Sequence, residues 1–545
     1  MYKKILFSLF WFVLINFAFT QEALKSIEEE YYDFLALQGL VERPTLGYRT
    51  LSDSVWNLDG DSEHLWNGNN LGSTKSFFDL NKDDENFFIK GINKSGSVRL
   101  YGPEWYNSYN SKVPYGQNDG ALWQGVGYNT SFTAGLRIEA FGFEGTFKPQ
   151  ITWSQNKEFE YLPGVYGDSH SYFWTGNIDL VQRYGDYSYW QFDLGDTEIR
   201  YNFYNFTVGF GTQTPWLGPA QLNPMLGSNN AGTYPKFDFG LRKTDLIIPG
   251  VNWNLGKLEG RIWVGQLRES DYFDDIDSNN KLLIDGFNLS YSPSFFPEFT
   301  IGATKICLSQ WGANFWKYLN PFYSENEWES GLGGEDQKCS IYLDLFFAQI
   351  GFDFYFEFGI DDYPANFLSN PFHTAIYTVG AQKTFIGNNK NISHKLSLEI
   401  NMFEMSQDFQ LEWEYMGYYS HGLIKQGYTN NGQLLGAGTG YFGNSQSLVY
   451  TIYYPKGNFA FKIHRHAPAN NYIYNKTIMN PPYVTNERYF DSYMSYTTAG
   501  ISSIFMIGDI DFYLGFDFIH IENLNFFKYT PLNTFKIDAL IKYQL

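Results

Sequence analysis

From about residue 96 to the C-terminus, apolar and polar positions alternate with a period of two. Phe352, Phe354, Phe356, Phe358 and Ile360 interleave with Asp353, Tyr355, Glu357 and Gly359. Ile510, Phe512, Leu514, Phe516 and Phe518 alternate with Asp511, Tyr513, Gly515 and Asp517, and the C-terminus sets Phe535, Ile537, Ala539, Ile541 and Tyr543 against Lys536, Asp538, Lys542 and Gln544. Successive side chains of a strand point to opposite faces. A soluble sheet shows such alternation too, but a wholly apolar face backed by charge is what a wall between hydrocarbon and an aqueous lumen requires. Residues 199–210 predict a tight hairpin, with Ile199, Tyr201 and Phe203 before a turn at Tyr204-Asn205 and Phe206, Val208 and Phe210 after it.

Turn lengths point the same way. Short connections near Gly508, 455–458, 387–391 and Gly351 alternate with long ones near 521–533, 467–492, 405–444, 361–374 and 309–338. Outer-membrane barrels join their strands by short periplasmic turns and long external loops, in even-numbered, antiparallel order. Continuing the count upstream predicts an all-β transmembrane barrel of about 18 strands over 96–545, its last strand running toward the periplasm.

The first part of the chain has a different period. Ser26-Ile-Glu-Glu29 reads as a capping box, Tyr31, Phe34, Leu35 and Leu37 recur at helical spacing, and Gly39 is a stop signal. Pro44, an apolar stretch through Leu51 and Trp56, and the acidic run Asp83-Asp84-Glu85 follow. This predicts a small, mainly helical periplasmic region over 21–95. Ahead of it, Lys3 and Lys4, the apolar run from Ile5 to Phe19 and the small-x-small triplet before Gln21 read as a secretory signal over 1–20. Beyond that run no apolar stretch reaches the ~20 residues a spanning helix needs.

Aromatic residues make up 20% of the chain, with 51 Phe, 43 Tyr and 15 Trp, more than a soluble core uses. A barrel in lipid uses them twice, in its outward band and in its interfacial girdles. The formal charge of -20 argues against nucleic acid as a partner. Cys307 and Cys339 flank one long loop, and a disulfide across its base and two unpaired thiols both stand open.

One stretch carries a resemblance. Trp216-Leu-Gly-Pro219, then Leu226-Gly-Ser-Asn-Asn-Ala231 and Tyr234-Pro235, resembles the W-x-G-P…S-N-N-A…P signature of the capsule assembly Wzi family, and Tyr32-Asp-Phe-Leu-Ala-Leu-Gln-Gly-Leu40 followed by Pro44 looks like that family's opening. The resemblance covers residues 31–56 and 209–241; Leu217 and the residues after Pro219 depart from the pattern. It implies an outer-membrane barrel of about 18 strands with a periplasmic helical region and a closed lumen. It also implies a lectin that holds secreted capsular polysaccharide or exopolysaccharide at the cell surface, bedded in outer-membrane lipid and facing the polysaccharide export machinery.

The resembling segment falls in an external loop, and its residues suit sugars: an aromatic face packs against a pyranose, and Asn amides donate to and accept from hydroxyls. Trp216, Asn229, Asn230 and Tyr234 are the candidates there. Gly, Pro and Asn also suit a tightly folded loop. The loop from Gln310 to Gln337 adds Trp311 and Trp316 among seven aromatics, a plug and a partly exposed binding surface in one. The acidic stretch Asp271, Asp274, Asp275 and Asp277 with Asn279 lacks the Gly and Glu of a calcium loop and reads as solvated. His464 and His466 share a strand face without a third ligand and read as lumen wall. No hydrolase, zinc-protease or phosphate-loop motif occurs, so the expectation is a non-enzymatic protein without cofactor or metal; a barrel phospholipase would need a Ser–His pair at the membrane rim. The rival reading is a channel for sugars or other small solutes.

Overall fold

The computed structural model describes residues 19–21, 25–58, 63–67, 69, 75–79, 95–162, 177–274, 276–312, 334–361, 374–404, 417–469 and 492–544. Residues 1–18 of the signal segment over 1–20 and the acidic run at 83–85 lie outside the described residues.

Eighteen antiparallel strands close into a barrel. In order they are β1 (Ser95–Asn110), β2 (Gly127–Ala140), β3 (Phe143–Phe147 and Gln150–Ser154), β4 (Tyr189–Asp193 and Glu198–Phe203), β5 (Phe206–Gly211) and β6 (Lys236–Ile248). Then come β7 (Trp253–Arg268), β8 (Lys281–Pro293), β9 (Phe299–Gln310), β10 (Glu335–Phe347), β11 (Phe352–Asp361) and β12 (Ala375–Ile386). The set ends with β13 (Ser393–Met402), β14 (Asn444–Tyr454), β15 (Gly457–Ala467), β16 (Ser495–Ile507), β17 (Ile510–Glu522) and β18 (Leu532–Tyr543). The barrel closes where β18 pairs with β1, from Lys536 opposite Asn110 to Lys542 opposite Glu104.

The period-two pattern sorts as expected. On β11, Asp353, Tyr355 and Glu357 are buried in the lumen, and on β17 and β18 so are Asp511, Asp517, Lys536, Asp538 and Lys542. Leu514, Phe516, Phe518, Phe535, Ile537 and Ile541 stand exposed on the outside. The hairpin turns at Tyr204-Asn205, with Phe203 opposite Phe206. Connections also alternate: two residues join β4 to β5 or β17 to its predecessor, whereas 212–235 and 403–443 join strands at the other end. The barrel thus has a short-turn mouth and a long-loop mouth.

Helix α1 (Ile27–Leu37) is built from the signals the sequence offers. Ser26 accepts from the Glu29 backbone N–H at 3.2 Å. Glu28, Glu29 and Glu30 sit at the positive end of the helix dipole. At the other end Gly39 takes φ +75°, which lets its N–H reach Ala36 and that of Leu40 reach Leu35. Among the described residues of 21–95, α1 is the one α-helix, beside turns and two- to five-residue strands. Buried Glu28, Glu29 and Asp33 of the helix meet Lys542, Arg49 and Arg43 in the lumen.

Candidate functional site

The site is the lumen, because segments from both mouths enter it. From the short-turn side, α1 and the chain up to Asn57 form a plug. Arg43 is its hub, donating from Nε to Asp33 at 2.8 Å, from Nη2 to Asp353 on β11 at 2.9 Å and from Nη1 to Asp344 on β10 at 3.4 Å. Its guanidinium also lies 4.0 Å from the Phe346 ring centroid. Asp53 takes Arg242 at 2.9 Å and Arg261 at 3.0 Å, while Ser52 Oγ donates to Glu198 at 2.9 Å. Lys542 donates to Glu28, and the Gly47 N–H reaches Glu259 at 3.2 Å.

Electrostatics fix the charge states on the plug. Burial alone would raise Asp33, but Arg43, Lys395 and Arg49 outweigh it and hold the carboxyl well below its usual range. Burial opposes ionisation of Asp53 too, and Arg261, Arg242 and Arg200 reverse it in the same way. Such buried pairs add little net stability but are costly to break singly, so they fix where the plug sits.

From the long-loop side, 212–235 descends to meet it. Trp216 and Leu217 pair antiparallel with Arg49 and Tyr48, and the Gly218 N–H donates to the Gly47 carbonyl at 2.9 Å. Glu399 on β13 then accepts the backbone N–H groups of Gln221, Leu222 and Asn223 at 2.9, 3.0 and 2.8 Å, with the Tyr355 hydroxyl at 2.7 Å. Above this crossing an apolar core forms from Leu217, Met225, Leu226 and Tyr234 of this loop, Ile178 of the 155–188 loop, and Tyr419, Tyr428 and Leu434 of the 403–443 loop. Asp179 ties two loops together by accepting the Ser270 N–H and hydroxyl, both at 2.6 Å.

The six candidates divide by exposure. Trp216 is 1% exposed; its Nε1 donates to the Ala220 carbonyl at 2.8 Å and Lys25 Nζ lies 4.6 Å from its ring centroid. Tyr234 is buried in the apolar core. Both rings are spent on packing rather than presented to solvent, because the loop folds inward instead of standing clear of the barrel. Asn230 accepts from the Asn118 N–H at 3.1 Å and donates to the Leu434 carbonyl at 3.2 Å, holding three loops together. Asn229 lines a lumenal chamber. Trp311 is half exposed at the end of β9, and Trp316 lies outside the described residues.

Other candidates also find partners. His464 Nδ1 lies 2.6 Å from Ser447 Oγ, and His466 Nε2 lies 2.7 Å from the Thr439 carbonyl. The Ser–His pair therefore sits on the lumen wall, away from the lipid rim. Asp274 accepts from Ile276 N–H and from Asn279, closing its own turn; Asp275 lies outside the described residues. Cys307 and Cys339 form no disulfide; they lie on neighbouring strands, opposite Gln337 and Lys305.

The charged anchors Asp33, Arg43, Asp53 and Glu399 escaped the sequence reading. Their signal was present in part: Asp353 and Glu357 were legible as lumen-facing charges, and buried charges require partners.

No family model matches the chain, and no curated protein matches it. Among solved structures it is similar to Wzi, an outer-membrane protein involved in group 1 capsule assembly in Escherichia coli and described as a carbohydrate-binding β-barrel. That likeness has a TM-score of 0.53 at 11% identity, covering 82% of this chain and 85% of that one. It also aligns with Acinetobacter baumannii OccAB1 (TM-score 0.36, 11% identity, 86% of this chain and 99% of that one). Pseudomonas aeruginosa OccK1 aligns as well (TM-score 0.39, 10% identity, 83% and 98%). The fold is that of an outer-membrane β-barrel. Fold by itself does not name a function.

Proposed function

We propose that the protein is a non-enzymatic outer-membrane lectin that binds capsular polysaccharide or exopolysaccharide and anchors it at the cell surface. The observation that carries this reading is the meeting of two inward segments at Leu217 and Tyr48, beneath an apolar core built from three long loops. A solute channel needs a wet path through its lumen. Here the middle of the lumen is packed with backbone pairing and apolar side chains, which favours a surface function over conduction. The inward-folded segment is also the one that resembles the capsule assembly family.

In this reading the short-turn mouth faces the periplasm and the export machinery, and the long loops face the polymer. Trp311, Trp316, Asn229 and Asn230 supply polysaccharide contacts, and Trp216 and Tyr234 hold the loop that presents them. The test compares two measurements on the full-length protein. In planar bilayers it should conduct little, and in cells lacking the native copy it should restore cell-bound polymer over shed polymer. Steady, sugar-blocked conductance with no effect on retention would establish the channel instead.

A further inference from the structure

Between the start of α1 and the inward loops, the lumen keeps a chamber of about 660 Å³, within the roughly 300–1,000 Å³ of small-molecule sites. Lys536 and Asp538 stand two apart on the inward face of β18 and both line it. They are only 7% and 8% exposed, and among the described residues neither side chain makes a hydrogen bond or a direct ion pair, although Lys536 lies in the field of Asp119, Asp517 and Asp538. Charges this deeply buried are almost always paired. Their neighbours obey that rule: Lys462 pairs with Asp517 at 2.8 Å, Lys148 with Asp196 at 3.0 Å and Lys25 with Glu30 at 2.9 Å.

The rest of the lining is rich in acceptors. Asp119, which joins Lys536 and Asp538 in the chamber, brings a second carboxylate, and Gln124 supports it. Asn118 and Asn229 lie on loops joined by the Gly120 N–H to the Asn229 carbonyl at 2.7 Å, and the Oδ1 of each is buried without a donor. Aromatic surface is at hand as well. The Tyr115 and Tyr496 rings stack with centroids 6.5 Å apart, and Tyr106 and Tyr513 line the same wall. Solvent reaches this wall, since the lumen-facing Lys462 side chain is 37% exposed.

We infer that this chamber binds one pyranose residue, neutral or carrying an amino group, with its donors directed at Asp538 and Asp119 and one of its oxygens accepting from Lys536. A pyranose matches both features, an apolar face for the tyrosines and a rim of hydroxyl donors for an acceptor-rich wall. The six carboxylates that line the chamber outnumber its four ammonium groups, which opposes the entry of a sugar acid. The inference rests on the lectin reading for its ligand class and goes beyond it by placing a sugar site inside the barrel.

The test titrates detergent-solubilised full-length protein with glucosamine, glucose and glucuronate, alongside Asp538→Asn and Asp119→Asn, the second carboxylate of the proposed site. Heat-modifiable gel migration monitors the fold. Saturable binding of glucosamine and glucose is expected, with glucuronate at least about tenfold weaker. Asp538→Asn should weaken glucosamine about tenfold, the loss of one charge-assisted hydrogen bond. If that variant misfolds, Asp119→Asn carries the comparison. Absence of saturable binding, equal affinity for the three sugars, or no change in either folded variant overturns the inference. A reducing-end-blocked oligosaccharide arm distinguishes a free sugar from a polymer terminus. Normal polymer retention with an empty chamber removes this inference alone, whereas sugar binding without retention removes the lectin reading and leaves the chamber.

Discussion

Leu217 lies opposite Tyr48 in an antiparallel pair, so a loop entering from one mouth of the barrel is held by the segment entering from the other. Neither can leave without breaking backbone hydrogen bonds that the lumen, once opened, would have to replace with water. The two closures therefore act together, and disturbing the plug should disturb the loops of the long-loop mouth.

Arg43 is the place to test that coupling. Its guanidinium serves Asp33, Asp344 and Asp353 at once. Arg43→Met keeps the volume and strands three buried carboxylates, a loss of roughly 3–5 kcal/mol when one side of a buried pair is removed. The barrel wall should survive, and hydrogen exchange should rise in 27–37 and also in 214–223. Faster exchange confined to the helix would show that the two closures are independent.

Gly218 limits how the loop passes the wall. It adopts φ +77°, and a β-carbon there would lie 3.2 Å from a Glu357 carboxylate oxygen. Gly218→Ala should cost about 1–2 kcal/mol from the left-handed backbone alone, and more if Glu357 has to move. The measurable result is protease sensitivity in 212–235 with unchanged barrel migration on gels.

The loop ties carry a pH dependence opposite in sign to that of Asp33 on the plug. Burial raises Asp179 to about 6, above its unfolded value, despite its bonds to Ser270. Burial, then Asp274 and Asp179, raise Glu269 to about 8. A raised carboxyl contributes stability that is full below the unfolded pKa and lost as pH rises through the folded one. The contact between 177–185 and 269–274 should therefore be tightest near pH 4 and loosen between about pH 4 and 8. Asp33 behaves inversely: it is held low, so its contribution is present above the unfolded value and lost only in stronger acid. Hydrogen exchange corrected for intrinsic rate should show loop protection falling from pH 5 to pH 8 while α1 stays protected. Asp179→Asn should flatten the loop profile, and an unchanged slope would remove Asp179 as its source.

These relationships mark how far the sequence could be read. Phe354 and Asp353 announce a wall with lipid on one side and water on the other, because period two needs no knowledge of partners. Ser26 and Gly39 announce the ends of α1 for the same reason, since capping is local. The position of that helix is not local. Tyr31, Phe34, Glu28 and Asp33 are all buried, whereas an amphipathic reading assumes that one face stays wet. Arg43 finds Asp344 and Asp353 some three hundred residues away, a choice made by barrel closure. The Trp216 motif was legible as a motif, but whether its ring faces a sugar or the inside of the protein depends on the direction in which the loop folds.

That difference separates two tryptophans in the lectin reading. Trp216 is buried and anchors the crossing, so Trp216→Ala should cost roughly 3–5 kcal/mol locally. It should lower polymer retention by loosening 212–235, with faster exchange as its signature. Trp311 is half exposed, and a surface change of this kind usually shifts stability by no more than about 0.5 kcal/mol. Trp311→Ala should lower retention with exchange and barrel levels unchanged, because what it removes is a sugar-facing ring. Comparing cell-bound with shed polymer in both variants distinguishes scaffold from contact. Equal retention in Trp311→Ala and the parent would take that ring out of the binding surface, and equal retention in both variants would take the segment resembling the capsule assembly family out of the function altogether.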